Sequence, residues 1–157
     1  MFFASSFGAY ITLLYLAAHP FPNTKAFLRS AAVDMYGIIQ QWIVSSPMWH
    51  KSEDGNAQYD YISPEYPYQR EMRITRAFVS DLARYRPSER YPIANPPKLA
   101  MIHGSLDATA PIAEARELAV RTSAVFKEIP GGEHRLIGPG ELETVQTEAL
   151  QFFLERK

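Results

Sequence analysis

The chain is apolar before it is charged. Phe2 to Ala18 carries no charged side chain, and its pattern divides into short predicted elements. Phe2-Phe3-Ala4 reads as the end of a buried strand and Ser5-Ser6-Phe7-Gly8 as a turn. Ala9 to Ala18 is apolar all round, which predicts a helix buried on most of its faces. His19-Pro20-Phe21-Pro22-Asn23 ends it, because proline cannot continue a helix. Ala26 to Val33 is a short apolar run bounded by turn residues, as expected of a buried parallel strand. Residues 37–97 change character, with both tryptophans, many tyrosines and recurrent prolines. One amphipathic helix is predicted there, from about Tyr68 to Tyr85. Ile74, Phe78, Leu82 and Tyr85 form its apolar stripe, and Arg73, Arg76, Ser80 and Arg84 its other face. The last third alternates: a strand over Leu99–Ile102, a helix over Pro111–Arg121 and a strand over Val125–Ile129. A closing helix follows from about Gly140 to Leu154, with Leu142, Val145, Ala149, Phe152 and Phe153 on its core face. Apolar strands alternating with helices predict a parallel sheet covered by helices.

Composition narrows the classes. The chain has 157 residues, enough for one domain and one core. Sixteen basic and 17 acidic residues leave a net charge of -1, so no overall field draws nucleic acid or an anionic membrane. Of the 33 charged residues only Lys25, Arg29 and Asp34 fall in the first 50 positions, which places that third in the middle of a fold or in a membrane. No basic region precedes Phe2–Ala18, and Ser5, Ser6, Gly8, Tyr10 and Thr12 dilute it, so the soluble reading is preferred. With no cysteine, disulfides, thiolate metal sites and cysteine nucleophiles are excluded, and a reducing, cytoplasmic location is expected. His19, His50, His103 and His134 form no metal motif, and no metal or cofactor is expected. The arginine face of the predicted helix reads as a solvated surface partly paired with Glu71 and Asp81 rather than a phosphate site.

Three segments could carry chemistry. In Ala4-Ser5-Ser6-Phe7-Gly8, centring on Ser6 puts small residues two before and two after a strand-to-helix turn, where a nucleophile's turn is crowded. The same serine could equally be a helix N-cap. In His103-Gly104-Ser105-Leu106-Asp107-Ala108-Thr109-Ala110-Pro111, Asp107 is a candidate acid or a simple turn carboxylate. In Pro130-Gly131-Gly132-Glu133-His134, the histidine is a candidate base or a surface-loop side chain. Each segment follows a predicted parallel strand, at the sheet edge where ligands of open α/β sheets bind.

With the order Ser6, Asp107, His134, these motifs resemble the C-terminal part of an α/β-hydrolase fold enzyme. H-G-x-x-D-x-x-x-P, then P-G-x-x-H, with an upstream small-x-S-x-G, is similar to the serine aminopeptidase, prolyl-oligopeptidase-like and esterase branches. The resemblance covers Phe2–Val33 and Leu99–Lys157. It implies a partial α/β-hydrolase domain: residues 1–36 carry nucleophile turn, helix and next strand, residues 37–97 a mostly irregular or helical cap, and residues 98–157 the acid and base loops with the closing helix. It implies Ser6 as nucleophile, Asp107 as acid and His134 as base, with the Phe7 amide at the oxyanion. Asp34, just past the preceding strand, is the alternative acid. Trp42, Trp49 and Tyr36 are the candidate pocket residues, or simply pack the cap.

The implied function is a serine hydrolase of ester or amide bonds acting on a small-molecule or peptide acyl substrate. The family carries several strands and a second oxyanion amide before its nucleophile, and this chain begins at the nucleophile strand. The expectation is therefore an N-terminally truncated chain. The alternative is a non-catalytic module that pairs with another chain through an exposed sheet edge.

Overall fold

The computed structural model describes residues 1–19, 21, 23–45, 49–51, 57–59, 75–91 and 97–155. They form two compact units, Met1–Met35 with Arg86–Lys157, and Tyr36–Tyr85. The first unit holds β1 (Phe2–Ser5), α1 (Phe7–Ala18), β2 (Lys25–Arg29), and, after the second unit, α4 (Pro87–Arg90), β5 (Lys98–Gly104), α5 (Ile112–Thr122), β6 (Val125–Ile129) and α6 (Glu141–Leu154). The second holds α2 (Met35–Ser45), β3 (Trp49–Lys51), β4 (Ala57–Tyr59) and α3 (Arg76–Arg84).

The four strands of the first unit lie in the order β1-β2-β5-β6, all parallel, with Phe3 beside Phe27, Phe27 beside Ala100 and Ile102 beside Lys127. Side-chain alternation along the strands supplies two cores. Ala26, Leu28, Leu99 and Met101 face α1 and α5, where Ala9, Leu13, Leu16, Ala115 and Leu118 meet them. Phe27, Ala100, Ile102 and Ile129 face the other way, onto Val145, Ala149 and Phe152 of α6. The central strands are buried on both faces, which is why they read as unbroken apolar runs. Each large aliphatic side chain so buried contributes about 1.5–3 kcal/mol.

One cation is set into this frame. Lys25 is buried at the start of β2, and its Nζ donates to the carbonyls of Phe152 (2.6 Å) and Glu155 (2.9 Å) at the C-terminal end of α6. A helix ends in unpaired carbonyls that carry partial negative charge, so an ammonium there satisfies both the hydrogen-bond and the dipole requirement.

Several expectations are corrected. α1 is not buried on most faces: Ala9, Tyr10, Leu13 and Leu16 pack inward, while Phe7, Ile11 and Tyr15 are 43–47% exposed. The inward face meets side chains of the sheet and α5 in the shared core. β1 is likewise half-buried rather than buried, with Phe3 53% exposed. β2 stops at Arg29, because Ser30 turns into a left-handed conformation at φ 46°. α3 begins at Arg76, where the Thr75 hydroxyl accepts from the Phe78 amide as an N-cap, so the helix is shorter than the arginine pattern suggested. Residues 68–74 lie outside the described residues. Within α3 Leu82 is buried, whereas Phe78 and Tyr85 are exposed. Arg84 sits 4.0 Å from Asp81 in an exposed pair of the kind that adds little stability. On α6, Leu142 is exposed and does not join the core face. Tyr91 belongs to the core beside α1 and α5 rather than to a cap. α2, α4 and the antiparallel β3–β4 ribbon, with Trp49 opposite Tyr59, had no signal, the strands being only three residues long.

Candidate functional site

Three loops leave the C-terminal ends of β1, β5 and β6 and bring Ser6, Asp107 and His134 together. Ser6 stands between β1 and α1 at φ 50° and ψ −123°, a backbone conformation that costs a non-glycine residue on the order of 1–3 kcal/mol. Its neighbours hold it there: its amide donates to Arg29 O (3.0 Å), and its carbonyl accepts from Ala9 (3.0 Å) and Ala32 (3.3 Å). Ser6 occupies the N-cap position of α1, yet its side chain makes no cap hydrogen bond. Its Oγ lies instead 2.9 Å from His134 Nε2. The crowding expected around this turn is absent at Gly8, where an added Cβ would meet nothing within 4 Å among the described residues.

His134 has to reach across the sheet. Strands β6 and β1 are three positions apart in the sheet order, roughly 14 Å at the usual spacing. The loop after β6 is folded back onto the loop after β5. The Leu106 amide donates to Gly132 O (2.9 Å), and the Gly131 amide to Ser105 Oγ (2.7 Å). The approach is close enough to demand glycine, since a Cβ on Gly104 would lie 2.2 Å from Gly132 O. Gly131 takes φ +74°, and Leu136 is fully buried at φ 48°, pinning the far side of the loop.

Asp107 is the most constrained of the three. Its side chain is fully buried, and Oδ1 accepts the Thr109 (2.9 Å) and Ala110 (2.8 Å) amides ahead of α5. Oδ2 lies 2.8 Å from His134 Nδ1 and 3.1 Å from His103 Nε2. Burial alone would push this carboxyl up. The hydrogen bonds from His103, His134 and the Ala110 amide, with the charge of His134, outweigh it and hold the carboxyl well below the usual carboxylate range. A carboxylate facing Nδ1 puts the imidazole proton there, leaving the Nε2 lone pair toward the Ser6 hydroxyl. Hydroxyl, imidazole and carboxylate thus form one chain along which a proton can leave the serine.

Asp34 does not reach the imidazole; its carboxylate pairs with Arg86 at 3.3 Å. Burial first, and then the charge of Asp34, push the Tyr10 hydroxyl and the Glu114 carboxyl above their usual ranges. The Phe7 amide is the first of α1 and has no acceptor within its own helix. Tyr36 and Trp42 are half-buried residues of α2 in the second unit, and the Trp49 side chain lies outside the described residues. His103, fully buried, was visible only as part of a motif; its contact with Asp107 had no separate signal. Among the described residues no helix is long and apolar enough to cross a membrane, and no group of three His, Cys, Asp or Glu side chains gathers to hold a metal ion.

The sequence matches no protein-family model and no curated protein. The fold is nevertheless widely shared among solved structures. The esterase domain of a Rhodothermus marinus protein superposes with a TM-score of 0.62 at 18% identity, over 94% of this chain and 57% of its own. Alpha/beta hydrolase domain-containing protein 10 from mouse gives 0.62 at 19%, over 98% of this chain and 62% of its own. Est1E from Butyrivibrio proteoclasticus with bound ferulic acid gives 0.65 at 16%, over 96% and 58%. The chain has the α/β-hydrolase fold. It spans about three fifths of the length of these structures.

The depressed Asp107 carboxyl has a consequence for stability. A carboxyl whose folded-state pKa lies below its unfolded value adds stability above the unfolded value, ~3.9, and loses it as pH falls below that toward the folded one. Urea unfolding of the parent and of Asp107→Asn should show a stability difference that shrinks as pH falls below about 4. A difference unchanged down to pH 3 would mean that the carboxylate is not held as described.

Proposed function

We propose that this protein is a serine hydrolase of ester or amide bonds, with Ser6 as nucleophile, His134 as base and Asp107 as its orienting acid. The observation that carries the reading is the 2.9 Å contact of Ser6 Oγ with His134 Nε2 at a serine held in a disfavoured backbone conformation. Neither a helix cap nor a surface histidine requires that arrangement.

In the proposed reaction Ser6 Oγ attacks the acyl carbonyl carbon while its proton passes to His134 Nε2. Asp107 stabilises the imidazolium without taking its proton. The Phe7 amide donates to the developing oxyanion, where a fixed donor counts for more than in water. Collapse breaks the bond to the leaving oxygen or nitrogen, which takes the proton from His134. Water, deprotonated by the same nitrogen, then attacks the acyl-serine and frees the acid and Ser6. The structural neighbours include an esterase domain, a monoacylglycerol lipase and a puromycin-hydrolyzing peptidase, which supports hydrolysis of an acyl bond and does not choose between ester and amide. No resident cofactor is needed for these steps.

A second reading, compatible with the first, rests on the edge of the sheet. Among the described residues β1 pairs only with β2, and Phe3, Phe7, Ile11, Tyr15 and Phe21 are exposed around it. We propose that this edge takes a further parallel strand from another chain, since an unpaired strand with apolar neighbours is a pairing template. Sedimentation over a range of concentrations should show association that Ile11→Asp weakens. A monomer at every concentration would count against it.

For the hydrolase, the test is turnover of a short activated ester such as p-nitrophenyl acetate at neutral pH. Ser6→Ala should remove the enzymatic rate, and Asp107→Asn should lower it by roughly 10^4-fold while leaving the fold intact. Asp34→Asn, which removes the ion pair with Arg86, should leave the rate near the parent's. Turnover that survives Ser6→Ala, or a severe Asp34→Asn with a mild Asp107→Asn, would overturn the assignment.

A further inference from the structure

His103 is an unusual side chain to find at the end of a central strand. It is fully buried, on β5 one residue before the glycine that admits the base loop. Its Nε2 lies 2.7 Å from Ala110 O and 3.1 Å from Asp107 Oδ2, while its Nδ1 is buried with no hydrogen-bond partner among the described residues. These contacts settle which nitrogen carries the proton. Nε2 faces two acceptors, a carbonyl and a carboxylate, so it must be a donor; a proton on Nδ1 would be a buried donor with nowhere to go. The neutral imidazole protonated on Nε2 satisfies both. Packing alone would call for an apolar side chain here, as at its neighbour Ile102 in the core.

We propose that His103 is a positioning residue for the hydrolase reading above, on which this inference rests: its shared Nε2–H donor locks the Asp107 carboxylate against the α5 entry so that Oδ2 stays aimed at His134. Asp107 is then held from two directions, by the Thr109 and Ala110 amides on Oδ1 and by His103 on Oδ2. Without the second hold the carboxylate can turn about its Cβ–Cγ bond, and His134 loses the fixed partner that aims it at Ser6. His103 touches no substrate in this account. Its effect passes through Asp107, so it should appear in the catalytic rate rather than in substrate affinity.

The pair His103→Phe and His103→Gln separates positioning from packing. Phenylalanine keeps the ring volume without the donor, and glutamine keeps a donor near the Nε2 position without the ring. We expect His103→Phe to lower kcat on the order of 10- to 100-fold with KM nearly unchanged, as a misaimed catalytic group does, and His103→Gln to recover most of that loss. A side chain that only fills space gives the opposite order, with Phe tolerated and Gln damaging.

Two spectroscopic readouts need no turnover. The 15N shifts of parent His103 at neutral pH should show a protonated Nε2 and a bare Nδ1. The downfield proton of His134 Nδ1, held by Asp107, should be lost in His103→Phe and present in His103→Gln. A proton on His103 Nδ1, or an unchanged downfield signal in His103→Phe, would overturn the proposal. The tautomer is read on the parent, so it decides even if a variant does not fold. Loss of Ser6-dependent turnover with both signals as expected would instead count against the hydrolase reading.

Discussion

A serine free to choose its backbone angles would leave φ 50° and ψ −123° at once, and the structure has to prevent that. It does so through the sheet. The Ser6 amide is tied to Arg29 at the end of β2, and its carbonyl to Ala32 beyond that strand and to the first turn of α1. The turn is therefore only as rigid as the pairing of β1 with β2 and the packing of α1 onto β1. That packing comes from Ala9, Leu13 and Leu16 against the strand side chains. The hydrophobic core in this way stores a local strain whose result is a hydroxyl presented at the sheet edge rather than turned back to cap its own helix.

The other half of the site is a problem of reach. His134 must cross from β6 to β1, and the loop that carries it gains rigidity by lying on the β5 loop at backbone contact distance. Gly104 and Gly132 are the residues that permit this, so the glycine of H-G-x-x-D serves a neighbouring loop more than its own strand. Asp107 then links the two ends, taking amides from the α5 entry and meeting two histidines with one buried carboxylate. Its charge is stabilised entirely by donors within the protein, which is how it stays ionised while excluded from water.

Much of this was legible in the sequence, and the reasons are specific. β5 stands out because a buried parallel strand is an unbroken apolar run, as Leu99 to Ile102 is, and β6, α5 and α6 because Gly and Pro punctuate the alternation around them. Ser6, Asp107 and His134 stand out because each follows such a strand. What could not be read depends on partners remote in sequence. The exposed face of α1 has the same composition as its buried face, so burial of the whole helix was the natural expectation. The β3–β4 ribbon is too short to show a period. Nothing local to Asp34 reveals Arg86, and nothing local to His103 reveals that its ring nitrogen meets the carboxylate four residues on.

The most direct test of the central claim, that a proton-accepting imidazole makes Ser6 a nucleophile, is covalent labelling of the folded chain by a fluorophosphonate, followed by intact mass and peptide mapping. The serine oxygen attacks the phosphonyl phosphorus and displaces its fluoride only where the hydroxyl is activated. The expected result is a single adduct, on Ser6, formed by the native protein, abolished by urea and lost in His134→Ala. A native protein left unlabelled at Ser6, or labelled there equally well when unfolded or without His134, would contradict it.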